Sequence, residues 1–158
     1  MNQDALQRAL LEGAGNPALL DPATGALSRE AFILRVEEAA ALGARLGYGI
    51  AAVVIEVQWP PPGTLLDAVL GELVDRVWAQ GRRSDSIARL AVNRLALLLP
   101  ATDRYGAART ATRLERLLSE PCRVGPRAVW PRLSLKVAGT PAGQPAAAAD
   151  VLAVVDPC

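Results

Sequence analysis

Arg82-Arg83-Ser84-Asp85 places two guanidinium groups and a carboxylate within four residues, just after Gly81 and just before an apolar run. Arginine can fork two N–H groups onto a phosphate, and a carboxylate accepts N–H donors. The tetrad therefore has the chemistry to hold a phosphate-bearing ligand, although with 16 arginines and 8 aspartates in 158 residues about one R-x-x-D arises by chance. Its plainer reading is a solvated turn after a helix, where cations are favourable. Two further acids stand at element ends, Glu56 closing an apolar run and Asp67 opening a helical one. Neither has a second acid close in sequence, and a single carboxylate makes a poor Mg²⁺ cage.

Composition removes several classes of chemistry. The chain has no histidine, which excludes Ser-His-Asp and Cys-His nucleophiles, His-ligated zinc and imidazole acid–base catalysis. Cys122 and Cys158 are too few and too far apart for a zinc cage or a disulfide scaffold, so a cytoplasmic location is expected. With 17 Lys+Arg against 16 Asp+Glu, the chain lacks the basic excess of a general nucleic-acid binder. Its longest clean apolar run, from Gly49 to Ile55, is far short of the ~20 residues of a membrane span, and no secretory leader follows Met1.

These residues need elements to position them. Leu6, Leu10 and Leu11 predict a lead-in helix within residues 1–16, stopped by Gly13-Ala-Gly15-Asn-Pro17. Ser28 is set to cap a second helix whose face is Phe32, Val36, Ala39, Ala40 and Leu46, ended by Gly47-Tyr-Gly49. Ile50 to Val57, apolar without alternation, predicts a buried central strand. Leu66, Leu70, Leu73 and Val77 predict a helix from Thr64 to about Gln80. Ser86 to Leu90 and Leu95 to Leu99 predict a hairpin turning at Ala91-Val92-Asn93-Arg94, with Asn93 supplying a left-handed turn residue. A helix capped by Asp103, a strand from Arg132 to Val137 and a short helix from Ala146 to Val155 complete the chain. The order predicts an α/β sandwich, one mostly antiparallel sheet flanked by helices.

Several segments, in order, are similar to the GGDEF domains, the diguanylate cyclases of bacterial signalling. Asp21-Pro-Ala-Thr24-Gly25-Ala-Leu27-Ser-Arg29-Glu-Ala-Phe32 resembles the family's D-x-L-T-G-L-x-N-R-x-x-F, and Asp67-Ala-Val69-Leu70 resembles its D-x-V-L. Asp85-Ser-Ile-Ala88-Arg89-Leu90, then five residues, then Ala96-Leu-Leu-Leu99-Pro100 resembles D-x-x-A-R-x-GGDEF-x-x-L-L-P. Leu133-Ser134-Leu-Lys-Val137-Ala138 resembles V-S-I-G-V-A. The match spans about residues 17–138 and implies a GGDEF-like domain over 17–158, a nucleotide-cyclase-like sheet, and a C-terminus lacking the family's last helix and edge strand.

The departures fall on the chemistry. In the family, a first-strand aspartate and an acid of the signature hold Mg²⁺ on GTP, and the signature glycines admit the nucleotide. Here Glu56 stands at the strand position and the signature reads Ala91-Val92-Asn93-Arg94-Leu95. Val92 resists the backbone freedom of glycine. Arg94 sets a cation where an acid would stand, and one unit charge about 4 Å away is worth roughly 4 kcal/mol at an effective dielectric of ~20. Glu56 is expected to pair with Arg94, Asp67 to favour its helix N-terminus, and no metal, cofactor or catalytic residue is expected. The R-x-x-D, five residues before the signature, lies in the register of the family's inhibitory cyclic di-GMP site. The resemblance thus implies Arg82 and Asp85 as ligand residues, completed by Arg113, with Arg109 and Arg116 equally eligible. The expected function is a catalytically inactive signalling domain, a receptor for cyclic di-GMP. The alternative is a protein-interaction adaptor that binds no nucleotide and docks through Trp59-Pro-Pro-Pro62 and Arg94; a protein partner and a homodimer are compatible with either.

Overall fold

The computed structural model describes residues 19–155. The lead-in helix expected within residues 1–16, and Cys158, lie outside them. Helix α1 (Arg29–Leu46) starts where the Ser28 side chain accepts from Ala31 N–H, and it ends at Gly47, whose φ of 86° is a left-handed cap. Strand β1 (Ile50–Trp59) follows, then helix α2 (Thr64–Gln80), strands β2 (Ser86–Ala91) and β3 (Arg94–Pro100), and helix α3 (Arg104–Leu118), capped by Asp103. A small hairpin of β4 (Cys122–Val124) and β5 (Arg127–Val129) precedes strand β6 (Arg132–Gly139) and helix α4 (Ala149–Val155).

The main sheet runs β2-β3-β1-β6 with every neighbour antiparallel. Pairing β1 on both edges explains its unbroken apolar sequence, because both of its faces are also covered. Ala51, Val53, Ile55 and Val57 point to a core with α2 and α3, while Ile50, Ala52 and Val54 point to a second core with α1 and α4. This period of two along β1 assigns Glu56 to the α4 face. Leu27 adds a short parallel bridge to Ala88 on the outer edge of β2, which ties the Asp21–Leu27 loop to the sheet.

Four local expectations are corrected. Leu46 does not join the α1 face: it is exposed, because the helix has already passed the edge of the core. Asn93 does not adopt a left-handed conformation, and Ala101 is the single non-glycine with positive φ among the described residues. Instead Asn93 fastens the turn to β1, its amide donating to Val57 O at 3.1 Å and its own carbonyl accepting from Val57 N–H at 2.8 Å. The last helix begins at Ala149 rather than Ala146, with the Asp150 carboxylate accepting from Ala147 N–H, and it packs Val151 and Val155 into the second core. The β4–β5 hairpin was not expected at all, being three residues a side around Gly125.

Candidate ligand groove and the hairpin turn

The loop from Gly81 to Asp85 joins α2 to β2 at the outer edge of the sheet. Asp85 is buried there, its side chain 6% exposed, while that of Arg82 is 53% exposed. The carboxylate accepts from Arg82 N–H at 3.0 Å and from Arg82 Nη2 at 3.1 Å. The same Nη2 reaches Pro100 O at 3.0 Å and Thr102 Oγ1 at 2.9 Å, so Arg82 bridges the loop to the start of α3. Its Nε and Nη1 make no hydrogen bond within the described residues and remain as separate donors, since both bidentate edges of the guanidinium include the engaged Nη2.

This arrangement forms one wall of a groove of about 630 Å³. Arg82, Asp85, Thr102, Arg109, Thr110 and Arg113 contribute its polar groups. Arg113 also shares with Asp85 a small recess floored by Val77, Leu97 and Leu114. Of the three arginines that sequence left eligible on α3, Arg109 and Arg113 line the groove and Arg116 does not. Asp103 is occupied in capping α3, accepting from Gly106 N–H at 2.9 Å. Three guanidinium groups against one paired and one capping carboxylate make the groove net cationic, suited to an anion.

The signature-register residues Ala91 to Leu95 sit at the β2–β3 turn, far along the strands from Arg82. Val92 is exposed, Leu95 is fully buried, and Ala91 pairs with Arg94 across a register irregularity in β2. Glu56 and Arg94 are direct partners in the β1–β3 register, with Arg94 Nη2 at 3.6 Å from the Glu56 carboxylate. Asp67 is more than a favourable acid at the α2 N-terminus, since Arg89 Nη2 donates to it at 2.7 Å. Arg89 also reaches Asp21 at 3.4 Å and Val92 O at 2.6 Å, and its side chain is 12% exposed. Asp21 in turn accepts from Thr24 Oγ1 at 2.6 Å. Sequence reasoning gave Arg89 no role beyond its place in the resemblance; it shares the face of Ile87 and Leu95, on the side of the sheet covered by α2 and α3. Among the described residues, no three acidic, cysteine or histidine groups gather closely enough to hold a metal ion. Buried Cys122 has its thiol pushed above the ordinary value by burial, which keeps it protonated and unreactive. No described helix is long and apolar enough to cross a membrane.

No protein-family profile matches the sequence, and no curated protein does. Solved structures do match the fold. The GGDEF domain of FimX from Pseudomonas aeruginosa superposes with a TM-score of 0.73 at 22% identity, over 85% of this chain and 86% of that one. Diguanylate cyclase SiaD of the same organism, solved in complex with its activator SiaC, matches with a TM-score of 0.70 at 23% identity, over 89% of this chain and 57% of that one. The GGDEF domain of DgcB from Caulobacter crescentus, solved in complex with c-di-GMP, matches with a TM-score of 0.64 at 19% identity, over 82% and 80%. These superpositions extend over more than four fifths of this chain: the chain has the fold of the GGDEF domains.

Proposed function

We propose that this chain is a GGDEF-like signalling domain without diguanylate cyclase activity, acting as a receptor for cyclic di-GMP held by Arg82, Asp85 and Arg113. The observation that carries this reading is the single groove in which the Arg82–Asp85 loop meets Arg109 and Arg113 of α3. The free Nε–H and Nη1–H donors of Arg82 and the guanidinium groups of α3 suit two phosphates and a guanine edge, and Asp85 suits guanine N–H donors. That the DgcB domain is solved with c-di-GMP supports this choice of ligand. Loss of catalysis is supported by Arg94, which sets its cation against Glu56, and by Arg89, which occupies Asp67.

One observation favours the adaptor alternative. Arg82, Asp85, Pro100 and Thr102 satisfy one another without a ligand, so the loop is held whether or not a nucleotide ever binds. Exposed Trp59 and Trp130 would then mark a protein contact, as SiaD is solved with a protein activator.

Calorimetric titration of cyclic di-GMP separates the readings. The receptor gives saturable heat, and silence at high micromolar ligand leaves the adaptor. Incubation with GTP and Mg²⁺ or Mn²⁺ should yield no cyclic di-GMP, and production proportional to protein concentration would overturn the inactive assignment.

A further inference from the structure

On the α4 face of the sheet, one row of residues crosses three strands. Arg94 on β3 pairs with Glu56 on β1, and Glu56 pairs with Ser134 on β6; Lys136 follows two residues along, opposite Val54. These side chains, with Ala153 and Val154 of α4, line a pocket of about 250 Å³. With strands about 4.8 Å apart and residues about 3.3 Å apart along each, the long side chains of Arg94 and Lys136 can reach one group from opposite strands.

The cations here are unspent. Lys136 makes no hydrogen bond or ion pair within the described residues, and its exposed ammonium carries three donors. Among the described residues Arg94 has one ion-pair partner, Glu56 at 3.6 Å, and donates no hydrogen bond from its side chain. Ser134 Oγ accepts from Gln58 Nε2 at 3.4 Å and keeps its own proton to donate. Two cations and a hydroxyl against a single, partly exposed carboxylate give a net positive pocket. Its volume suits a phosphate or diphosphate group and its walls offer donors on two sides. One carboxylate offers too few oxygens for Mg²⁺.

We propose that Arg94, Ser134 and Lys136 form a second, metal-independent site that binds a phosphate group through protein cations alone. It is separate from the Arg82 groove and stands whether or not that groove takes cyclic di-GMP. Glu56 positions Arg94 yet repels the incoming anion, so its removal should strengthen binding. A purely structural ion pair would not produce that sign.

Lys136 is the one lysine of the chain, so reductive ¹³C-methylation gives a single side-chain signal beside that of the α-amine while preserving the charge. Titration with inorganic pyrophosphate in excess EDTA should move the Lys136 signal saturably, with a dissociation constant of about 1 mM or tighter. Arg94→Gln should weaken binding about tenfold or more, Glu56→Gln should tighten it about threefold, and Arg123→Gln, at an exposed cation of β4 that does not line the pocket, should leave it unchanged. The Lys136 signal before titration reports whether each variant keeps the native fold around the pocket. The proposal is overturned by no saturable shift up to about 10 mM, by an Arg94→Gln titration matching wild type, by weaker binding in Glu56→Gln, or by loss of binding in Arg123→Gln.

Discussion

Two acid–arginine pairs flank the same sheet, and their surroundings make them different objects. Asp85 with Arg82 sits at the α2–β2 loop, the carboxylate 6% exposed, at 3.1 Å and with a backbone N–H as second donor. Glu56 with Arg94 sits across two strands near the hairpin turn, the carboxylate 39% exposed, at 3.6 Å and with no hydrogen bond between them. A buried carboxylate must keep its donors, whereas an exposed cross-strand pair gains little beyond what water already offers. The loop pair is therefore part of the structure and the turn pair is an adjustable surface feature. Substitution at the β2–β3 turn can thus be tolerated while the groove at the other end of β2 stays intact. The Arg89 cluster lies between these extremes and locks the turn to the loop after residue 20.

The largest effect is expected at that lock. Arg89→Ala removes charge-assisted bonds to Asp67, Asp21 and Val92 O, leaves two carboxylates facing each other's field, and should cost about 2–4 kcal/mol in urea denaturation. A loss below about 0.5 kcal/mol would show the cluster to be an ordinary solvated face. Next comes the buried member of the loop pair. Asp85→Ala orphans Arg82 N–H, takes one of three acceptors from Nη2 and should cost about 1–3 kcal/mol, with Arg82→Ala similar because it leaves a buried carboxylate short of a donor. Equal stability of Asp85→Ala and wild type would erase the contrast between the two pairs. The smallest effect belongs to the turn: Glu56→Ala should change stability by no more than about 1 kcal/mol, an effect that shrinks further at high salt. A larger, salt-independent loss would place Glu56 in the structural class with Asp85.

Sequence carried the frame of this contrast and missed its energetics. The limits of α2, the centrality of β1 and the 86–99 hairpin were legible because leucines at helical spacing and unbroken apolar runs report directly on burial. The β4–β5 hairpin was not, since three-residue strands hold too little alternation to rise above loop composition. Arg82 stood open between a solvated turn cation and a ligand residue because nothing local marks Asp85 as buried, and the further partners of Arg82, Pro100 and Thr102, arrive from β3 and the loop after it. Arg109, Arg113 and Arg116 could not be ranked for a simple reason. At about 100° per residue they fall within roughly 60° of one another around α3, and what separates them is height along the axis, about 10 Å from first to last. Only the packing of α3 beside Asp85 selects the first two. Lys136 went unremarked because its chemistry depends on a row across three strands, a relation that appears only with the register.

The central claim, that the ligand groove is the Arg82 loop and not the former signature turn, is tested most directly by titrating cyclic di-GMP calorimetrically into wild type, Arg82→Ala and Arg94→Ala under identical salt, at a temperature where all three are folded. The account predicts saturable binding by wild type, a 10- to 150-fold loss in Arg82→Ala, corresponding to about 1.5–3 kcal/mol for charge-assisted hydrogen bonds, and an Arg94→Ala affinity within about threefold of wild type. Binding that survives Arg82→Ala unchanged, or that is lost instead in Arg94→Ala, would contradict it.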